Sequence, residues 1–196
     1  MIQSDPIERF REVYALAEKV DRSVLPDPSA MALATVGADG SPSVRIVLLK
    51  AYDERGFVFY TNHEGRKGRE LLARSRAALC LYWSAIDVQV RVEGPVVKVS
   101  DNEADAYFAT RARMSQIGAW ASRQSEPLET PRALDERVTE YEKKFAGKEV
   151  PRPSHWSGFR VQPERIEFWK GKPNRLHERH LYTRAGNSWK IETLYP

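Results

Sequence analysis

Cysteine is almost missing from this sequence: Cys80 is the only one in 196 residues. No intrachain disulfide can form, which fits a reducing compartment and leads us to expect a cytoplasmic protein. Within Ala-Ala-Leu-Cys-Leu-Tyr-Trp (77–83), Cys80 reads as a small buried apolar residue, not a nucleophile. No apolar run reaches the roughly 18 residues that a membrane-spanning helix needs. The opening Met-Ile-Gln-Ser-Asp-Pro lacks a basic-then-apolar order, so no secretory leader is expected. Long Lys/Arg tracts are also missing. The 31 basic and 27 acidic residues leave a net charge of only +4, and nucleic-acid binders concentrate charge far more strongly. A few cations aimed at a small anionic ligand explain the same excess.

Other absences narrow the chemistry. His63, His155, His177 and His180 lack metal-ligand spacing, and no metal site is expected. There is no phosphate-binding Walker loop, no dinucleotide glycine fingerprint and no G-x-S-x-G elbow. Hydrolase and metalloenzyme readings are therefore poor, and what remains suggests phosphorylated small molecules.

The hydrophobic pattern predicts strands and helices in mixed order. Asp5, Pro6 and Glu8 open a helix whose apolar residues are Ile7, Phe10, Val13, Tyr14 and Ala17. Strands are predicted at 30–36, 43–51 and 57–61 as an antiparallel meander, then at 77–83, 87–94 and 95–100. Helices are predicted at 65–75, from a cap at Asp101 to about Arg111, over 113–122 and over 131–146. Short strands in Gly-Phe-Arg-Val-Gln, Arg-Ile-Glu-Phe-Trp, His-Leu-Tyr-Thr-Arg and the final Ser-Trp-Lys-Ile-Glu-Thr-Leu close the chain. Six or more hairpin-linked strands with inserted helices suggest an antiparallel β-barrel carrying peripheral helices, a mainly β (α+β) fold.

Several stretches carry candidate chemistry. In Phe-Tyr-Thr-Asn-His-Glu-Gly-Arg-Lys-Gly, a strand ends and Arg66-Lys67 open a helix, which is either a phosphate site or a solvated basic turn. Arg45 and Lys50 interrupt an apolar strand at an odd spacing, so one must lie at a strand end or be redirected by a bulge. Val88, Val90 and Val92 form a core face, leaving Gln89, Arg91 and Glu93 on the other. Tyr107, Arg111 and Ser115 would form one stripe of phosphate donors if their helix were continuous. Near the C-terminus, Arg175, His177 and Arg179 alternate, so in a strand all three would share a face and need an anion or solvent.

Taken together, Arg-Ile-Val-Leu-Leu-Lys (45–50), Gly-Arg-Lys-Gly (65–68), Gln-Val-Arg-Val-Glu-Gly (89–94), the run from Ala106 to Ser125 and Ile-Glu-Phe-Trp-Lys-Gly-Lys-Pro-Asn-Arg-Leu-His-Glu-Arg (166–179) resemble the pyridoxine/pyridoxamine 5′-phosphate oxidase family. The match runs in order from about residue 29 to the C-terminus. The resemblance implies a single FMN-binding split-barrel domain over 1–196, its site completed by the N-terminal helix 5–20 and the C-terminal strands 157–196. It also implies a homodimer with FMN across the interface. The expected reaction is oxidation of pyridoxamine or pyridoxine 5′-phosphate to pyridoxal 5′-phosphate, with O2 as acceptor and H2O2 as product. By the same resemblance, Arg45, Ile46, Val47, Lys50, Tyr60, Thr61, Arg66, Lys67, Gln89, Gln124, Ser125, Trp169 and Arg179 contact FMN. Lys50, Tyr107, Arg111, Ser115, Arg175 and His177 contact substrate, and Arg175 and His177 are the catalytic candidates.

Two departures from the family pattern stand out. Glu178 occupies a position that is often Asp, and it should point away from Arg175 and His177. Many members also carry a basic, tyrosine-containing segment ahead of the first helix that can cover the active site; this sequence starts too late to include it, so a lid is expected to be either missing or supplied otherwise. Competing readings are a phenazine-type flavoenzyme of the same fold, a non-catalytic flavin- or pyridoxal-phosphate-binding protein, and a basic nucleic-acid-binding barrel.

Overall fold

Asp5 caps the first helix by accepting the Ile7 N–H at 2.8 Å, and Pro6 fills the first turn, where no N–H is required. The computed structural model describes residues 2–196. That helix, α1 (Pro6–Glu18), is followed by β1 (Ala30–Val36), β2 (Pro42–Leu48), β3 (Ala51–Asp53), β4 (Gly56–Asn62), α2 (Arg66–Ala73), β5 (Arg76–Trp83) and β6 (Val88–Lys98). Next come α3 (Asp101–Ala109), α4 (Arg113–Ala121), α5 (Ala133–Lys144), β7 (Trp156–Val161), β8 (Arg165–Lys170), β9 (Glu178–Ala185) and β10 (Ser188–Leu194). The strands run in the order β10-β9-β8-β6-β5-β1-β2, and a second limb of β3, β4 and β7 joins at β6. This curled antiparallel sheet with its five helices is the expected split barrel.

Three local expectations need correction. The stretch 43–51 is not one strand of a meander. It breaks after Leu48, where Leu49 N–H bonds Ser29 and Lys50 N–H bonds Val58, so the chain leaves β1 for β4. Conversely, 87–94 and 95–100 are a single strand. Residues 88–93 of β6 pair with β5 and β8, and 96–98 pair with β7. Gly94 sits at the crossing, where an added Cβ would lie 1.9 Å from the Gln162 carbonyl oxygen. We expect Gly94→Ala to cost about 1–3 kcal/mol through forced backbone displacement, visible as a lowered thermal midpoint; an unchanged midpoint would contradict it. Finally, α3 is capped by Ser100, whose Oγ accepts from Glu103 N–H at 3.2 Å, and not by Asp101.

The inner face of the sheet holds Met31, Leu33, Leu79, Leu81, Val90 and Val92 around Phe10 of α1, which meets Phe57 edge-on at 4.9 Å. A second cluster of Phe108, Ile117, Phe145, Val150 and Trp156 seats α3 and α4. The outer face is unusual. Val44 and Ile46 on β2 are 69% and 65% exposed. Across neighbouring strands the register places Ile46, Ala32, Cys80, Arg91, Glu167 and Leu181 in one row. Cys80 is thus only half-buried, on a sheet face and outside the core; burial pushes its thiol pKa up.

Candidate functional site

The break after Leu48 has a consequence for chemistry. It releases Lys50 from the alternation of β2 and lets it line a cleft of about 460 Å³. The cleft is also lined by Ile46, Val47, Tyr60, Thr61, Lys67, Tyr107, Arg111, Ser115 and Gln124, so ten of the sequence-derived candidates converge there. Leu48, Asn62, Gly118, Ala119, Ser122 and Trp156 complete the wall and were not foreseen. A signal for three of them was present. Gly118, Ala119 and Ser122 are small and lie 3, 4 and 7 residues after Ser115, the spacing of one face of α4 and the residue that caps its end.

The continuous helix on which one stripe of Tyr107, Arg111 and Ser115 would depend is not formed. The helix stops at Ala109 and α4 starts at Arg113, so Arg111 occupies the bend between them. The three side chains nevertheless line one cleft, because the bend directs Arg111 across the ring of Trp156, 4.7 Å from its centroid. Tyr60 stacks on Tyr107 at 4.0 Å and on Trp156 at 5.3 Å, giving the cleft a flat aromatic wall. Arg111 Nη1 is buried and has no hydrogen-bond partner among the described residues. A buried donor without an acceptor is costly, and a ligand anion would satisfy it. Burial also lowers the Arg111 pKa, partly offset by Tyr107.

At the start of α2 the basic residues divide into two kinds. Glu70, 7% exposed, accepts from Thr35, from Ser43 at 2.7 Å, from Arg66 Nε at 2.8 Å and from Arg45 Nη2 at 3.1 Å. Burial alone would raise its pKa, but these hydrogen bonds outweigh it and hold the carboxyl at about 2. Arg45 and Arg66 are therefore committed to Glu70, and neither lines the cleft. Lys67 behaves differently. Its Nζ donates to Gln124 Oε1 at 2.7 Å and to Thr61 Oγ1 at 3.3 Å, with no carboxylate partner among the described residues. Burial, then the charge of Arg45, lowers its pKa. Ser125, at positive φ, accepts the Arg66 N–H at 3.2 Å and also stays outside the cleft.

The remaining candidates lie elsewhere. Gln89, Trp169 and Arg179 form a cross-strand row on the outer sheet face, beside the row containing Cys80. Arg179 is paired with Glu167, a carboxylate only 3% exposed, at 2.8 Å, and Arg91 reaches the same group at 2.8 Å. The strand that would set Arg175, His177 and Arg179 on one face is not formed over all of these residues. Residues 173–175 form a single tight turn, Asn174 and Arg175 have φ of 58° and 61°, and β9 begins only at Glu178. Arg175 is exposed, and His177 packs against Trp169 with ring centroids 4.6 Å apart. Glu178 turns to Lys172 at 3.0 Å. His180 meets Arg9 at 3.2 Å.

Residues 17–170 match the family described as pyridoxamine 5′-phosphate oxidase, and residues 156–196 match the pyridoxine 5′-phosphate oxidase C-terminal dimerisation region. A pyridoxine/pyridoxamine 5′-phosphate oxidase of Myxococcus xanthus is 59% identical over all of this chain and 94% of its own length. One from Rubrobacter xylanophilus is 55% identical, covering 98% of this chain and 87% of that protein. Among solved structures, PhzG from Burkholderia lata, in complex with tetrahydrophenazine-1-carboxylic acid, has a TM-score of 0.91 at 34% identity over 100% of this chain and 94% of that one. An FMN-binding protein from Nostoc punctiforme shares the fold, with a TM-score of 0.75 at 18% identity over 95% of this chain and 97% of that one.

Proposed function

The chain belongs to the pyridoxine/pyridoxamine 5′-phosphate oxidase family and is an FMN-dependent oxidoreductase, and from that premise we propose that it oxidises pyridoxamine and pyridoxine 5′-phosphates to pyridoxal 5′-phosphate with O2 as acceptor. H2O2 is then the second product, with ammonia released from the amine. One observation carries this reading: Lys50, Lys67 and Arg111 surround an aromatic-walled cleft, and none has a carboxylate partner among the described residues. Cations held together without counter-charge suit phosphate groups, and the flat wall suits a ring.

These residues fit FMN and the substrate together. Lys67, with Thr61 and Gln124 at the start of α2, would hold the cofactor's phosphate, while Arg111, Tyr107 and Ser115 would hold that of the substrate. Lys50 lies between both sets. Bound FMN supplies a two-electron acceptor for the hydride equivalent leaving the substrate's C4′. The chain's own contribution is to orient the ring, exclude water and stabilise charge on the substrate's oxygen.

The match of residues 156–196 to a dimerisation region supports a homodimer. A homodimer also accounts for the two separated groups of residues. In this reading the outer row of Gln89, Trp169 and Arg179, with Arg175 and His177 beside it, completes the cleft of a second copy, and the exposed Val44 and Ile46 are covered by the same contact.

The direct test is the absorption spectrum of the purified protein. A flavin spectrum bleached by pyridoxamine 5′-phosphate in the absence of O2 is expected; a colourless protein that FMN cannot reconstitute overturns the reading. Likeness to the phenazine-bound structure raises a second substrate class, and turnover of a tetrahydrophenazine carboxylate but not of pyridoxamine 5′-phosphate would favour it. Arg175→Ala is expected to lower turnover about tenfold or more while FMN stays bound, because a charge-assisted contact to substrate is lost. Full activity in that variant would remove Arg175 from the site.

A further inference from the structure

We infer that the loop 171–178 holds His177 as its Nε2–H tautomer, so that this histidine gives a hydrogen bond to the substrate and takes no proton from it. The Lys172 backbone N–H donates to His177 Nδ1 at 3.2 Å. A peptide N–H can only donate, so the Nδ1 lone pair is occupied and the single proton of the neutral ring resides on Nε2. In that form Nε2 has no lone pair for an incoming proton. Accepting one would require Nδ1 to release the Lys172 amide.

The loop is constructed to keep this bond. Gly171 N–H bonds the Asp87 carbonyl at 2.9 Å, and an added Cβ at Gly171 would sit 1.6 Å from Asp87 Oδ2, which anchors the amide that follows. Lys172 Nζ reaches Glu178 at 3.0 Å and ties the two ends of the loop together. Between them, Leu176 N–H closes a turn onto Pro173 at 3.2 Å. Asn174 and Arg175 adopt left-handed backbone conformations, a strain that the surrounding contacts must sustain. The imidazole rests against Trp169, and flipping it would set a C–H against the Lys172 amide and forfeit the bond.

That His177 faces substrate rests on the functional reading above; the tautomer does not. The first experiment uses FMN-loaded protein labelled with 15N-histidine. A long-range proton–nitrogen correlation at neutral pH should show an unprotonated Nδ1 and a protonated Nε2 for the ring whose signals vanish in His177→Asn. A protonated Nδ1, or a doubly protonated ring, overturns the inference. This result is obtained whether or not the protein oxidises pyridoxamine 5′-phosphate, so failure of the function and failure of the tautomer are separate outcomes.

The second experiment compares two amides. His177→Gln carries N–H donors near the Nε2 position, whereas the shorter His177→Asn carries them near Nδ1. With pyridoxamine 5′-phosphate, His177→Gln is expected to keep KM within about threefold of wild type and His177→Asn to raise it about tenfold or more, the effect of one hydrogen bond to a charged group. Equal KM values for the two variants would overturn the donor role.

Discussion

Arg111→Ala is expected to raise KM for pyridoxamine 5′-phosphate by about ten- to a hundredfold, the range for losing hydrogen bonds to a charged group, while leaving FMN content unchanged. The side chain is ordered before any ligand arrives. It stacks over Trp156 at 4.7 Å and lies 5.6 Å from the Phe108 centroid, so little rotamer entropy remains to be lost on binding. Among the described residues its Nη1 is buried without an acceptor and no carboxylate forms an ion pair with it. Arg111→Lys keeps the charge but loses the planar fork and the stacking, so an intermediate KM is expected. Steady-state kinetics alongside flavin absorbance separates the two sites. An unchanged KM in the alanine variant would mean that the orphaned donor does not serve the substrate.

Glu70→Ala is expected to destabilise the protein by about 3 kcal/mol, because removing one member of a buried ion pair leaves its partners uncompensated. Arg45 and Arg66 would lose their shared carboxylate, and Thr35 and Ser43 their acceptor. The pH dependence has a definite sign. The Glu70 pKa is depressed from 4.5 to about 2, so its contribution is complete above pH 4.5 and disappears as pH falls toward about 2. Wild type should therefore lose stability across that window more steeply than the Glu70→Ala variant. Denaturant titrations at several pH values would show this, and parallel curves would refute it. FMN retention should weaken as well, since Arg66 opens the helix that carries Lys67.

Much of this was legible in the order of residues. Asp5 and Pro6 mark a helix start by local chemistry, and the alternation of Val88, Val90 and Val92 reports a buried face wherever the strand ends up. Errors arose where long-range pairing overrules local signals. Two strands are expected to meet between Gly94 and Pro95, yet β5, β7 and β8 hold β6 continuous there. Arg175, His177 and Arg179 have strand spacing, yet a turn with left-handed backbone precedes β9. Tyr107, Arg111 and Ser115 meet, but through a helix break and not a helix face.

The sequence by itself determined that this is a mainly β chain with more cations than its local carboxylates can neutralise, because strand alternation and composition are properties of the linear order. Which cations remain available was decided only by tertiary structure. Glu70 claims Arg45 in addition to its helical i,i+4 neighbour Arg66, and Glu167 claims Arg91 and Arg179; apart from Arg66–Glu70, no spacing rule connects these pairs. Lys50, Lys67 and Arg111 are left facing the cleft. The reason is Coulombic: the attraction between charges depends on their distance through space and on the surrounding dielectric, and the fold sets both.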